Sequence, residues 1–210
     1  MNIKILSYPE NYLDLIYTAG RNCYGMRDAA EKQESTRKIG AFTEKLIALG
    51  HESVLEHINI ITYNYNVSRS FLAQITRHRL VAFSVKSQHY VKHTDFKYKN
   101  LETWGNEPEI AQAEYHELMR QINLLYQYYI THGIPHYIAR EILPNACLTD
   151  IVMTANVREW RHIIQQRITS NNTPEIQEWA KVMLRTLYLE MPELFSDLRN
   201  KYESLLEVRE

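Results

Sequence analysis

The chain has 210 residues, of which 45% are hydrophobic and 23% are charged, so it can bury a substantial core. Its formal net charge is −1 at pH 7, which excludes a general attraction to nucleic acid or to an acidic membrane, so any anion site must be local. Cys23 and Cys147 are too few for a disulfide framework, and the amino terminus is too polar for a signal peptide. With no long uncharged apolar run, these features predict a soluble, cytoplasmic protein.

Hydrophobic periodicity predicts a chain made mainly of helices, with a few short strands. Strands are predicted at residues 2–7, 57–67 and 148–155. Helices are predicted through Leu13 and Tyr17, at 39–49, from Ser68 towards Ala82, at 108–132, up to Leu143, at 158–168 and twice more before the carboxyl terminus. Residues 84–91 carry no regular period and are predicted to be extended chain or loop.

Helices outnumber strands without the regular spacing of βαβ units, and no linker or internal repeat divides the sequence. We therefore predict one α+β domain, residues 1–210, in which several helices pack on a small mixed sheet.

A basic tripeptide follows the apolar stripe of the helix that begins at Ser68. Arg77, His78 and Arg79 could simply complement the dipole at the carboxyl end of that helix. However, Gln74 lies one turn earlier, and residues 86–88 follow in a segment whose backbone donors are expected to be free. Because guanidinium groups match phosphate geometry, the combination favours a phosphate site.

A second arginine stands out in the helix that follows Asn156, a plausible N-cap. Arg167 shares one helical face with a set of apolar residues, namely Trp160, Ile163, Ile164 and Ile168. A buried guanidinium is costly without a partner, so either an internal carboxylate, for which Glu175 is a candidate, or a bound ligand should contact it.

Other familiar motifs are missing. The six glycines are scattered, which excludes the dinucleotide fingerprint and the phosphate-loop motif. His51 and His57 are six positions apart and cannot share a helical face, so no metal site is predicted. Cys147 has no neighbouring His or Lys to activate it and is predicted to be a core residue.

The pattern Arg77-His78-Arg79, seven residues, then Ser87 resembles the signature of the flavin-dependent thymidylate synthases. Segments 51–57, 139–144 and 156–158, the last continuing to Arg167, resemble further blocks of that family in the same order. The resemblance spans roughly residues 50–180, which a chance tripeptide would not produce.

The resemblance implies an α+β homotetramer that binds FAD at active sites between subunits, without a Rossmann fingerprint. It implies conversion of dUMP to dTMP, with 5,10-methylenetetrahydrofolate as the carbon donor and NADPH as the reductant of the flavin. The expected partners are therefore these small molecules and further copies of the chain, and neither nucleic acid nor a membrane.

The resemblance also implies which residues form the site. The residues implied to bind dUMP are Gln74, Arg77, Ser87, Gln88, His89, Arg140 and Arg167. The residues implied to contact FAD are Ser53, Arg77, His78, Arg79, Asn156, Arg158 and His162. Arg167 and Ser87 are the expected catalytic residues, with Arg167 stabilising negative charge on the uracil ring.

One departure and two alternatives bear on the substrate. The family usually has arginine where this chain has His89, and a neutral imidazole holds phosphate less strongly than a guanidinium. A same-fold enzyme could methylate another uracil nucleotide such as UMP, which the shape of the ribose pocket would decide. A non-catalytic RNA-binding module would use the following residues: Arg77, Arg79, Lys92, His93, Phe96, Lys97, Tyr98 and Lys99. The near-neutral net charge argues against that module.

Overall fold

A computed structural model describes residues 2–25, 34–93, 95–100 and 109–206. Four strands form one sheet: β1 (Asn2–Ser7), β2 (Asn59–Ser68), β3 (Ala82–Val85) and β4 (Leu148–Asn156). The α-helices are α1 (Tyr12–Cys23), α2 (Thr36–Ala48), α3 (Arg69–Ile75), α4 (Glu109–Thr131), α5 (His136–Ala139), α6 (Val157–Arg167), α7 (Pro174–Glu190), α8 (Pro192–Lys201) and α9 (Glu203–Leu206). Short 3₁₀ helices occupy Glu52–His57 and Arg140–Ile142. None of the described helices is long and apolar enough to cross a bilayer.

The sheet has the strand order β1-β2-β4-β3 and is antiparallel. The Val157 N–H donates to the Ile58 carbonyl at 2.8 Å, and the Asn64 amide donates to the Ile151 carbonyl at 3.3 Å. Residue numbers therefore rise along β2 as they fall along β4. The α+β class is confirmed, but the expected mixed sheet is wrong, because the sheet is antiparallel.

The predicted strands at 2–7, 57–67 and 148–155 are confirmed to within a residue or two. The helix from Ser68 is shorter than predicted, since it ends at Ile75, and residues 82–85 form β3. The basic tripeptide consequently follows the helix instead of ending it. The predicted start of α4 at Pro108 lies outside the described residues.

The chain divides into two compact units. Unit 1 comprises Met1–Asn2, Asn64–Arg77 and Phe83–Val152. Unit 2 comprises Ile3–Tyr63, His78–Ala82 and Met153–Glu210. A small core cluster of unit 1 contains Phe96, Met119 and Cys147.

The core of unit 2 contains a buried arginine that sequence periodicity did not single out. Arg161 on α6 is 2% exposed and makes a two-pronged contact with Asp197 of α8 at 2.8 and 2.7 Å. It also donates to the Leu194 carbonyl at 2.5 Å and to Glu52 at 3.4 Å. This ion pair ties α6 to α8 and to the 3₁₀ helix at Glu52–His57.

Removing one member of this pair tests its contribution to stability. We expect Asp197→Ala to lower the free energy of unfolding by about 2–3 kcal/mol, because Arg161 stays buried with only its weaker acceptors. Asp197→Asn, which keeps one acceptor oxygen, should cost less. Chemical denaturation measures both values, and equal stability of Asp197→Ala and the parent would show that the pair contributes nothing.

Candidate functional site

The junction between β4 and α6 positions the functional side chains of unit 2. Asn156 ends the strand in an extended conformation, and its side-chain oxygen accepts from the Glu159 N–H at 2.9 Å. The predicted N-cap is thereby confirmed. The next residue, Val157, is anchored to Ile58 through its N–H. The first turn of α6 is therefore fixed against the start of β2.

A cavity of about 680 Å³ opens beside the first half of α6. Its lining residues all belong to unit 2: Glu52, Glu56, Leu80, Asn156, Arg158, Glu159, His162 and Gln165. Three of them, Asn156, Arg158 and His162, are residues expected to contact the flavin. The volume lies within the range typical of small-molecule and cofactor sites.

Carboxylates already hold the arginine of this cavity. Arg158 contacts Glu56 at 2.5 Å and approaches Glu52 at 4.0 Å, with its side chain 52% exposed. Such an exposed pair contributes little to stability, so the guanidinium can exchange partners at small cost. Sequence reasoning missed Glu52 and Glu56 as cavity residues, although they lie within the recognised block 51–57.

A second cluster of polar side chains in unit 2 contains Arg167 and His78. The Arg167 Nε–H donates to His78 Nε2 at 3.0 Å, and Nη1 donates to Asn172 Oδ1 at 3.3 Å. The expected burial of Arg167 in an apolar stripe is wrong, because its side chain is only partly buried while Trp160 and Ile164 on α6 are fully buried. The carboxyl-terminal end of α6, where Arg167 lies, is next to the polar side chains of His78 and Asn172.

His78 is a neutral acceptor at physiological pH. The side chain is 5% exposed, and burial, followed by the nearby charges of Arg167 and His162, lowers its pKa from 6.5 to about 4. Since Nε2 accepts from Arg167, the ring proton is assigned to Nδ1.

That nitrogen faces Glu159 Oε1 at 3.6 Å, a contact that is not an ion pair while the imidazole is neutral. Burial raises the pKa of Glu159, against the opposing effect of His162. The neutral His78 ring therefore lies close to two ionisable groups, Arg167 and Glu159.

The remaining residues expected at the flavin are more dispersed. Ser53 and Arg79 are exposed and do not line the cavity, and His78 is buried and does not line it either. Arg77 is exposed and belongs to unit 1.

Most residues expected to bind dUMP lie in unit 1: Gln74, Arg77, Ser87, Gln88, His89 and Arg140. Arg167, the other member of that set, belongs to unit 2.

Ser87 organises a tight turn. Its Oγ accepts from the backbone N–H groups of His89 and Tyr90 at 3.0 and 3.3 Å. Among the described residues no base accepts the Ser87 hydroxyl proton, so the geometry gives no support to a nucleophilic serine.

The neighbours of Ser87 have separate surroundings. Gln88 Nε2 lies 4.0 Å from the Cys147 sulfur. The exposed His89 ring lies against Tyr137, with 5.4 Å between ring centroids. Arg140 approaches Glu141 at 3.4 Å.

The fold is that of an α+β protein, and its cavity beside α6, lined mainly by charged and polar side chains, has a volume typical of small-molecule sites. A family model described as thymidylate synthase complementing protein matches residues 4–193. The flavin-dependent thymidylate synthase of Clostridium tetani is 30% identical over 213 residues, covering 93% of this chain and 85% of its own length. That of Mycolicibacterium vanbaalenii is 33% identical over 197 residues, covering 87% and 78%.

A comparison of folds agrees with these sequence matches. A crystal structure of thymidylate synthase X from Helicobacter pylori, solved with FAD and dUMP, superposes with a TM-score of 0.76 at 21% identity, covering 99% of this chain and 100% of that one. The family model over residues 4–193 and these relatives show that the chain belongs to the flavin-dependent thymidylate synthase family.

The lowered pKa of His78 predicts a pH-dependent stability. Between pH 6.5 and about 4, His78 becomes protonated in the unfolded chain but stays neutral in the folded protein. The free energy of unfolding should therefore fall by ~3 kcal/mol as the pH is lowered through this range. Arg167, His162 and Glu159 face the ring and remain in His78→Gln, whose amide can replace both ring contacts without titrating. Denaturation midpoints at several pH values should show a shallower dependence for His78→Gln, and parallel curves would contradict the assignment.

Proposed function

We propose that this chain catalyses the reductive methylation of dUMP to dTMP, using FAD, NADPH and 5,10-methylenetetrahydrofolate. The observation that carries the proposal is the family match across residues 4–193, together with a cavity whose lining includes Asn156, Arg158 and His162. The Helicobacter pylori protein of the same fold was solved with FAD and dUMP.

The cavity of unit 2 suits the charged part of FAD. Arg158 and His162 can donate to a pyrophosphate, and Arg158 can do so by giving up one exposed carboxylate partner. Glu52 and Glu56 can instead accept from hydroxyl or amino groups. When bound, the reduced flavin supplies the hydride of the reaction.

Arg167 is proposed to stabilise negative charge on the uracil ring. Its Nε–H is held by the neutral Nε2 of His78, which orients the guanidinium without cancelling its charge. Ser87 is proposed to act in substrate binding by holding the turn at residues 87–90. Gln74, Arg77, Gln88, His89 and Arg140 are proposed as further dUMP contacts, and no metal takes part.

We also propose a homotetramer of single-domain chains with active sites at subunit interfaces. Helix α4 supports this assembly, because several of its large apolar residues are exposed: Ile110, Leu118, Leu124, Leu125 and Tyr128. Several exposed apolar residues on one helix are typical of a protein–protein interface. Cys23 and Cys147 are unpaired, which suits a reducing cytoplasm.

The structure disfavours the RNA-binding alternative. Phe96 is 6% exposed and packs in the core of unit 1. The Tyr98 hydroxyl forms a 2.9 Å hydrogen bond with the His116 ring, and Tyr98 packs against the same core. Stacking on nucleobases requires exposed ring faces, which these two aromatic residues do not offer together.

Product analysis tests the proposed reaction. Purified, FAD-reconstituted protein incubated anaerobically with NADPH, methylenetetrahydrofolate and dUMP should oxidise NADPH and form dTMP. UMP in place of dUMP should yield no methylated product if the ribose pocket excludes a 2′-hydroxyl. Flavin binding without dTMP would refute the proposed substrate, and methylation of UMP would identify the alternative one.

A substitution of Arg167 tests the proposed charge stabilisation. We expect Arg167→Ala to reduce kcat by on the order of a hundredfold, because the guanidinium acts mainly in the transition state. Arg199→Ala, which removes a partly exposed arginine of unit 2 that pairs with Glu203, is the matched control and should retain parent turnover. Near-parent turnover of folded, flavin-loaded Arg167→Ala would exclude this role.

A further inference from the structure

The loop between α6 and α7 contains an asparagine that contacts both the end of α6 and the side chain of Arg167. Asn172 Nδ2 donates to the Gln166 carbonyl at 2.8 Å. It also donates to the carbonyl and to Oγ1 of Thr169, at 3.2 and 3.1 Å. On the other side of the same amide, Oδ1 accepts from Arg167 Nη1 at 3.3 Å. All four residues belong to unit 2. One amide therefore links the backbone of the last turn of α6 to the guanidinium that this turn carries.

The partners of the Asn172 amide determine which way it points. The backbone carbonyls of Gln166 and Thr169 can only accept, so the amide nitrogen must face them. The guanidinium of Arg167 can only donate, so the amide oxygen must face it. A flipped amide would place an oxygen against two carbonyls and a nitrogen against a cation, and would lose these three hydrogen bonds. The orientation of Oδ1 towards Arg167 is thus fixed by chemistry.

The backbone of Asn172 is held as well. Its N–H donates to the Thr169 carbonyl at 3.2 Å, and its carbonyl accepts from Gln177 Nε2 on α7 at 2.5 Å. The residue is therefore tied to the helix that precedes it and to the helix that follows it. An acceptor held in this way keeps its position while the side chain it contacts is ordered.

Arg167 is restrained at two different nitrogens. Its Nε–H donates to His78 Nε2 at 3.0 Å, and its Nη1 donates to Asn172 Oδ1. Because a guanidinium is planar and rigid, contacts at two nitrogens fix both its location and the rotation of its plane. His78 alone would leave the plane free to turn about that one hydrogen bond. Asn172 supplies the second restraint.

We propose that Asn172 is a positioning residue of the reaction, which holds the Arg167 guanidinium in the orientation that stabilises negative charge on the uracil ring. The inference rests on the proposed function for the role of Arg167, whereas the anchoring of its guanidinium does not. A donor that is already oriented requires no reorganisation when charge develops in the transition state. Loss of the anchor should therefore slow the chemical step more than it weakens substrate binding.

A double-mutant cycle on the FAD-reconstituted full chain tests this role through dTMP formation per bound flavin. We expect Asn172→Ala to lower kcat about 5- to 20-fold, the loss typical of one hydrogen bond to a charged group, with little change in KM for dUMP. In the Arg167→Ala background the same change should alter kcat by less than about twofold, because the group that Asn172 positions is absent. Equal losses in both backgrounds would show that Asn172 does not act through Arg167.

Two control variants loosen the same loop and leave the Oδ1 contact in place. Thr169→Val, which is isosteric, removes one acceptor of the Asn172 amide nitrogen. Gln177→Ala removes the donor to the Asn172 carbonyl. Both should keep kcat within about twofold of the parent, because Oδ1 still faces Arg167. A loss in either control as large as that of Asn172→Ala would assign the effect to general order of the loop and overturn the proposal.

Nitrogen-15 NMR of arginine-labelled protein measures the anchoring without turnover. The signals of the Arg167 guanidinium are assigned by their loss in Arg167→Ala, and they report rotation about the Nε–Cζ bond. This rotation should be about tenfold faster in Asn172→Ala than in the parent, as expected for the loss of one hydrogen bond, and unchanged in Thr169→Val. Equal rotation in Asn172→Ala and the parent would overturn the proposal.

The two measurements separate failure of the inference from failure of the proposed function. Faster rotation in Asn172→Ala with unchanged kcat would show an anchor that has no part in catalysis, and would overturn the positioning role while leaving the synthase activity intact. A parent protein that forms no dTMP would refute the proposed reaction, and the rotation rates would still decide whether Asn172 anchors Arg167.

Discussion

The hydrogen-bonded start of α6 determines where the charged groups of unit 2 lie. Asn156 caps the helix through the Glu159 N–H, and Val157 is tied to Ile58. Since side chains project from a helix at fixed angles, anchoring the first turn sets the direction of every later side chain. Arg161, buried against Asp197, then prevents the helix from rolling. Arg158 and Arg167 take their positions from these two restraints.

The three arginines of α6 have hydrogen-bond partners of different kinds, and these partners distinguish a structural arginine from those proposed to bind ligands. Arg161 pairs with a carboxylate, so its charge is neutralised inside the protein. Arg167 donates Nε–H to a neutral imidazole, a contact that satisfies a donor without cancelling charge. Arg158 has an exposed acidic partner that it can exchange. The contacts of Arg167 with His78 and of Arg158 with Glu56 therefore differ in kind from the buried carboxylate pair of Arg161.

Local signals in the sequence predict most elements but not their partners. The capping role of Asn156 and the strands β1, β2 and β4 follow from residue type and period, which act over a few neighbouring residues. The buried arginine could not be chosen from sequence, because the Asp197 that neutralises Arg161 lies 36 positions away. Arg167 falls on the apolar period of α6 and was therefore expected to be buried, whereas the arginine that the structure buries is Arg161. The antiparallel sheet likewise depends on pairing between distant segments.

The same reasoning explains which site residues were found. The basic tripeptide and Ser87 were recognised because they form a compact motif, and Arg167 because a charge interrupts an apolar period. Glu159 has an ordinary local sequence context. It acquires significance only from its tertiary contact with His78.

The protonation state of His78 is the most direct test of this account, because a neutral ring is what lets Arg167 be held without losing its charge. Nitrogen-15 NMR of histidine-labelled protein, with His78→Gln used to assign the signal, reports which ring nitrogen carries the proton. The account predicts a neutral ring at pH 7 with the proton on Nδ1, titrating near pH 4. An imidazolium at pH 7, or a proton on Nε2, would contradict it.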